Sequence, residues 1–153
     1  MKPLKRHDSL KPLSREHHHG LLFCWKVRKG LKNNVELERI KQYRDFFFSR
    51  HLKQHFKKEE KYLFPLLSDN HPLIKKALKQ HKKLNKLFNE REELLKALSG
   101  IEELLDEHIR FEERELFIVI QQEVGAENLT AIEEQIDQPT GDIDKGWEDK
   151  FWE

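Results

Sequence analysis

Residues 55–64 read HFKKEEKYLF, and residues 108–117 read HIRFEERELF. Both have the form H-x-x-x-E-E-x-x-L-F. On a helix, positions i and i+4 share a face, so His55 lies beside Glu59 and His108 beside Glu112. The helical phase puts both pairs inside apolar stripes: Leu52, His55, Glu59 and Leu66 in one, Leu105, His108, Glu112 and Val119 in the other. A carboxylate turned toward a core costs several kcal/mol unless something compensates it. The same anomaly on two segments calls for one explanation, and a buried cation supplies it.

Working outward, the apolar positions recur at helical spacing in four long segments. The first runs from about Leu13 to Leu31, with Gly30 and Asn33-Asn34 marking its stop and turn. The second runs from about Val35 to Phe64, with Pro65 ending or kinking it and Ser68-Asp69-Asn70 as turn chemistry. The third opens at Pro72 and continues to about Leu98, stopped by Ser99-Gly100. The fourth runs from about Ile101 to Val124, closed by Gly125, and a short helix is expected near Leu129 to Ile136. Four amphipathic segments with short connections predict an all-α, antiparallel up-down-up-down four-helix bundle with a short C-terminal helix and a tail. The bundle domain is assigned to residues 9–137, and an acidic, aromatic tail to residues 138–153. That tail carries Trp147, Phe151 and Trp152 and reads as a loose extension whose aromatic patch docks on the bundle, on a protein partner or across a dimer.

The composition agrees. The chain has 153 residues, one domain's length, and its 37% charged content with few Gly and Pro suits heavily charged helices. Twenty-nine Lys and Arg face 28 Asp and Glu, so no global charge argues for nucleic acid or an acidic membrane. The lysines of IKKALKQHKKLNK (residues 74–86) read as a solvated helix face in preference to a nucleic-acid site. A single cysteine, Cys24, excludes an internal disulfide. No apolar run spans a bilayer and the N-terminus has no signal-peptide core, so a cytoplasmic location is expected.

Nine histidines are the outlier. His81 lies on the stripe of the third segment. On the first, His17 fits the face of Leu13, Leu21 and Cys24, and His18 is the alternative. The expected metal set is therefore His17, His55, Glu59, His81, His108 and Glu112. Imidazole and carboxylate without thiolate suit iron, manganese or zinc, and six donors exceed one tetrahedral zinc site but suit two metals with the glutamates between them. His51, one turn before His55, is a candidate hydrogen-bond partner for it.

At these residues the chain resembles the hemerythrin-like, or HHE cation-binding, family. The matching marks are LSREHHHGL at 13–21, HFKKEEKYLFP at 55–65, KQHKKL at 79–84 and HIRFEERELF at 108–117, and the resemblance covers about residues 9–124. It implies a four-helix bundle holding a non-haem centre of two iron ions per chain, oxo- or hydroxo-bridged, with Glu59 and Glu112 as bridging carboxylates. It further implies binding or sensing of O2, NO or peroxide, or iron handling. Two departures stand out. Oxygen carriers of the family have a second histidine four residues before the third-helix one, where this chain has Ala77. They also have an aspartate five after the fourth-helix histidine, where it has Glu113, which leaves Glu113 as an alternative to Glu112. These departures count against reversible oxygen carriage. Two other readings stay open: a di-iron enzyme of the iron–sulfur-repair or peroxidase type, and a metal-free helical interaction module.

Overall fold

In the computed structural model, residues 5–137 and 141–153 are described; the expected tail boundary at Gln138 falls outside them. The chain is all-helical, with no strand among the described residues. The first helix (Lys11–Lys32) follows a short turn capped by His7, whose ring accepts from the Ser9 N–H, and has Pro12 in its first turn. It does not stop at Gly30. Asn34 makes the reversal, with φ +57°, a left-handed conformation that asparagine tolerates. Gly30 is needed for another reason: a Cβ there would lie 2.7 Å from the Phe151 ring.

The second helix is continuous over 37–66 but changes winding along its length. It is α-helical over Leu37–Phe47 and Lys53–Lys58, π-helical over Phe48–Leu52 and Glu59–Leu63, and ends in a 3-10 turn, Phe64–Leu66, that contains Pro65. The third helix (Pro72–Phe88) is capped by the His71 ring, which accepts from the Leu73 N–H.

Here the expected boundaries are corrected. The third helix ends at Phe88, not near Leu98, and the fourth begins at Leu94 and runs to Glu123 through a π-helical stretch, Glu112–Leu116. The break falls in Asn89-Glu90-Arg91-Glu92-Glu93, which carries no Gly or Pro. Tertiary partners make it. Arg44 of the second helix donates to the Leu87 carbonyl, Asp45 takes Arg91, and the Glu90 carboxylate accepts from the N–H groups of Arg91 and Glu92. Gly100 lies inside the fourth helix, where a Cβ would meet Leu87 Cδ1 at 3.4 Å, an ordinary van der Waals contact. Two short helices follow, Ala126–Ala131 and Glu133–Ile136.

The buried apolar side chains form two clusters. One is centred on Phe23, Tyr43, Phe47 and Phe88, the other on Leu13, Leu63, Phe117 and Ile120. Residues 141–153 are not a loose extension. Ile143, Phe151 and Trp152 are buried in the first cluster, so of the alternatives for the aromatic patch it is docking within the chain that the structure shows. Lys26, itself buried, secures it: its Nζ lies 2.6 Å from Asp144 and 3.1 Å from the Tyr43 hydroxyl, and 4.1 Å from the centre of the Trp152 ring. The Tyr43 hydroxyl donates to the other Asp144 oxygen at 2.6 Å. Arg39 adds a bidentate pair to Asp149 at 2.9 and 2.7 Å.

Removing Asp144 strands the buried Lys26 ammonium, and such a loss costs about 3 kcal/mol. Asp144→Ala is expected to lower the urea-unfolding free energy by that order, whereas Arg39→Ala, at an exposed and solvent-screened pair, is expected to change it far less. Equal effects would contradict this account of how the tail is held.

Candidate metal centre

Between the two apolar clusters lies a polar layer. His17, His55, Glu59, His81, His108 and Glu112 are all 4% exposed or less, and both glutamates are 0% exposed. Each of the four long helices contributes. His17 Nε2 is 2.9 Å from Glu112 Oε1 and 3.8 Å from Glu59 Oε2. His55 Nε2 is 3.3 Å from Glu59 Oε2, and His81 Nε2 is 3.1 Å from Glu59 Oε1. His108 Nε2 is 3.5 Å from Glu112 Oε1 and 3.2 Å from His81 Nε2. Two overlapping sets result: His17, His55, Glu59 and Glu112, and Glu59, His81, His108 and Glu112, each with donor atoms within 4.8 Å of one another. Both glutamates belong to both sets. His18 is exposed, and Glu113 is set outside the cluster.

The repeated phrase has a repeated local structure. Each histidine sits in the last α-helical turn, and each inner glutamate opens a π-helical stretch. The closing phenylalanines, Phe64 and Phe117, donate their N–H to the carbonyls of Glu59 and Glu112, five residues back. Such widened turns are rare and concentrate at functional sites. Nothing in the periodicity announces them.

The outer nitrogens show what sequence reasoning missed. His55 Nδ1 is held by Glu16 at 3.0 Å, and Glu16 in turn by Lys58 at 3.2 Å. His81 Nδ1 is held by Glu60 at 2.7 Å, and His108 Nδ1 by the Gln80 side-chain oxygen at 2.6 Å. His17 Nδ1 faces Glu113 at 3.6 Å, too long for a hydrogen bond; Ser14 and Arg6 hold that carboxylate at 3.0 and 3.2 Å. A pattern was there to be read: Glu16, Glu60 and Gln80 each stand next to an inward donor and reach a histidine of another helix. A carboxylate can only accept, so Nδ1 of His55 and His81 carries a hydrogen, and Nε2, which faces the cluster, becomes the free donor once the imidazole is neutral, the arrangement metal-binding imidazoles adopt. His51 neither takes the candidate role of hydrogen-bond partner to His55 nor lies in solvent. It is buried, with its ring 6.2 Å from that of His55, and stacks edge-on to His19 instead. Glu16 to His19 is an E-x-x-H spacing, as di-iron carboxylate bundles use, but Glu16 turns away from His19 to His55.

Five buried atoms here lack a hydrogen-bond partner among the described residues: His17 Nδ1, His55 Nε2, both Glu59 oxygens and Glu112 Oε2. Four of these five belong to donors that converge on the two sets. Orphaned buried polar groups cost about 1–3 kcal/mol each, so the cluster is expensive as it stands and a cation would relieve it. Imidazole nitrogen and carboxylate oxygen without sulfur fit a first-row transition metal. The charge distribution agrees. Burial and the neighbouring Glu59 push Glu112 up to about 8. Burial also opposes ionisation of Glu59, but the charge on His55 and the nearby imidazoles of His17 and His81 outweigh it and hold its carboxyl well below the usual range. Against burial, carboxylate neighbours raise His55 and His81 to about 9 and His17 well above its usual value. Burial and His81 drive His108 well down. Protons thus do part of the work that a cation would do.

Residues 8–120 match the family model of the hemerythrin HHE cation-binding domain. The chain belongs to that family. Neither the curated proteins nor the solved structures compared with it gave a match. As an HHE cation-binding domain it is a metal-binding chain, and the His/Glu clusters fit a metal site. No helix among the described residues is long and apolar enough to cross a membrane.

Metal binding needs neutral imidazoles, so a cation must displace the protons that His55 and His81 hold up to about pH 9. Binding is expected to release protons at pH 7 and to weaken as pH falls from 9 toward 5. Calorimetry in buffers of different ionisation enthalpy, with chelator competition at several pH values, checks the sign.

Proposed function

We propose that the chain is a non-haem di-iron protein in which Glu59 and Glu112 are shared by two ions, His17 and His55 completing one side and His81 and His108 the other. The observation that carries this reading is the pair of overlapping donor sets with two shared, fully buried carboxylates. On the same reading the four long helices pack as an antiparallel up-down-up-down bundle over residues 9–137, with 138–153 as an appended tail, in a cytoplasmic protein. Manganese or zinc suits the same donors.

Two iron ions held there supply electrons and coordination positions to a small molecule. The protein residues do the rest. Glu16, Glu60 and Gln80 fix the imidazole planes. Phe56, stacked on His81 at 3.9 Å between ring centres, and Phe117, stacked on His17 at 5.4 Å, wall the cluster from water. Beside His17 and His55 lies a cavity of about 10 Å³ lined by Gly20, Leu52, Leu105 and Ile109 among others. That is room for about one water-sized molecule, which favours O2, NO or peroxide over any larger substrate. Access on this scale supports sensing or small-oxidant chemistry in a hemerythrin-like setting. The iron–sulfur-repair or peroxidase alternative shares the site and differs in turnover.

Protein produced with iron is expected to carry about two metals per chain, the di-iron carboxylate stoichiometry. His55→Ala and His108→Ala, each cutting one donor set, are expected to carry about one. A wild-type count near zero, or one that neither substitution changes, sinks the proposal.

Gly20 tests the cavity. A Cβ there would lie 2.6 Å from Ile109 Cδ1, the free end of a flexible side chain. Gly20→Ala is expected to cost under about 1.5 kcal/mol of stability while slowing NO binding to the iron-loaded protein, measured by stopped flow. Unchanged binding kinetics would place the ligand elsewhere.

A further inference from the structure

The lysine run set aside as a solvated face lines a concavity on the described surface. Lys79, Lys82, Lys83 and Lys86 of the third helix and Lys96 of the fourth surround a groove of about 570 Å³. Leu87 and Ala97 give it an apolar component, and Glu90 and Glu93 stand with them at the connection between the two helices. Lys96 reaches Glu93 at 3.7 Å, whereas the four lysines of the third helix have no acidic partner among the described residues. In a chain of 29 basic and 28 acidic residues, this is a local segregation of charge, not a global one.

We propose that this groove is the docking surface for an acidic electron-carrier protein. Positive charge in a concave setting calls for an anionic occupant and steers it from a distance. Three features favour a folded acidic protein over nucleic acid. No aromatic side chain lines the groove for bases to stack on. No arginine lines it, though arginine is the usual fork for phosphate. Its two glutamates would repel a uniform phosphate backbone, but they suit a partner whose surface carries both signs.

Position supplies the use, and this part rests on the di-iron reading. Lys79, Lys82 and Lys83 flank Gln80 and His81, whose side chains reach His108 and Glu59. A carrier seated on the groove is therefore about one helix diameter, roughly 10 Å, from the cluster. The reduced carrier loses one electron and the metal-loaded chain gains it. No bond is made or broken, and the oxidised carrier dissociates.

The test uses the full chain, metal-free and iron-loaded, and a ferredoxin of strongly negative net charge. Titration of the isotopically labelled chain by NMR is expected to shift amides of residues 79–97 in both forms. Raising salt from 50 to 300 mM is expected to weaken binding about tenfold as the pairing is screened. Lys82→Glu/Lys86→Glu is expected to cut both affinity and the rate of iron reduction by the ferredoxin about tenfold. Lys29→Glu/Lys32→Glu, the same charge change on the first helix, is expected to alter neither more than about twofold, and reduction by a small uncharged reductant is expected to be equal in all variants. Shifts centred elsewhere, equal effects of the two double variants, or equal displacement by a single-stranded RNA would overturn the surface. Docking without reduction would overturn the electron-carrier role while leaving the metal count, measured separately, to judge the di-iron reading.

Discussion

The structure depends on two carboxylates, Glu59 and Glu112, held at zero exposure in one small volume. Two negative charges in a medium of low dielectric cannot both persist unless positive charge joins them. Without metal, protons do this incompletely: Glu112 is pushed toward its neutral form while three histidines are pushed toward their charged forms. The orphaned oxygens of Glu59 show what protons leave undone, since a point on each imidazole cannot reach every lone pair. A metal cation can.

The surrounding architecture keeps that cluster rigid and dry. An apolar cluster closes it on each side, so the donors form a polar layer between two hydrophobic ones. Glu16, Glu60 and Gln80 tether the imidazoles of His55, His81 and His108 and hold each of these rings in one orientation. These tethers cross between helices: Glu60 of the second helix holds the third-helix His81, and Glu16 of the first holds the second-helix His55. The same contacts that orient the donors therefore also fix how the helices sit against each other. The hemerythrin family assignment and the geometry meet at this point, a buried His/Glu cluster that fits a metal site and whose tethers and packing are one network.

Both repeats also carry a local deformation. Opening the winding at Glu59 and Glu112 gives up regular α-helical bonding, with the phenylalanine N–H groups bonding five residues back. The paired glutamates then divide their labour: Glu59 and Glu112 go to the cluster, Glu60 goes to the outward nitrogen of His81, and Glu113 is held by Ser14 and Arg6.

Much of this was legible in the residues. Spacing by four identified His55 with Glu59 and His108 with Glu112, and stripe membership chose His17 over His18 and added His81, because burying polar groups among apolar ones at helical phase is a strong local signal. Helix ends, tethers and the tail were decided only in three dimensions. The stop at Phe88 is imposed by Arg44 and Asp45 from another helix, so Asn89 to Glu93, polar and compatible with helix, gives no warning of it. Gly30 and Gly100, which read as terminators, both lie within helices, and at Gly30 the reason is the close approach of Phe151. The tail reads as an acidic extension until Lys26 and Tyr43 supply the partners that let Asp144 approach the core. A sequence carries the donors and their phase, which are local; partners from distant segments, whose identity depends on packing, exist only once the chain has folded.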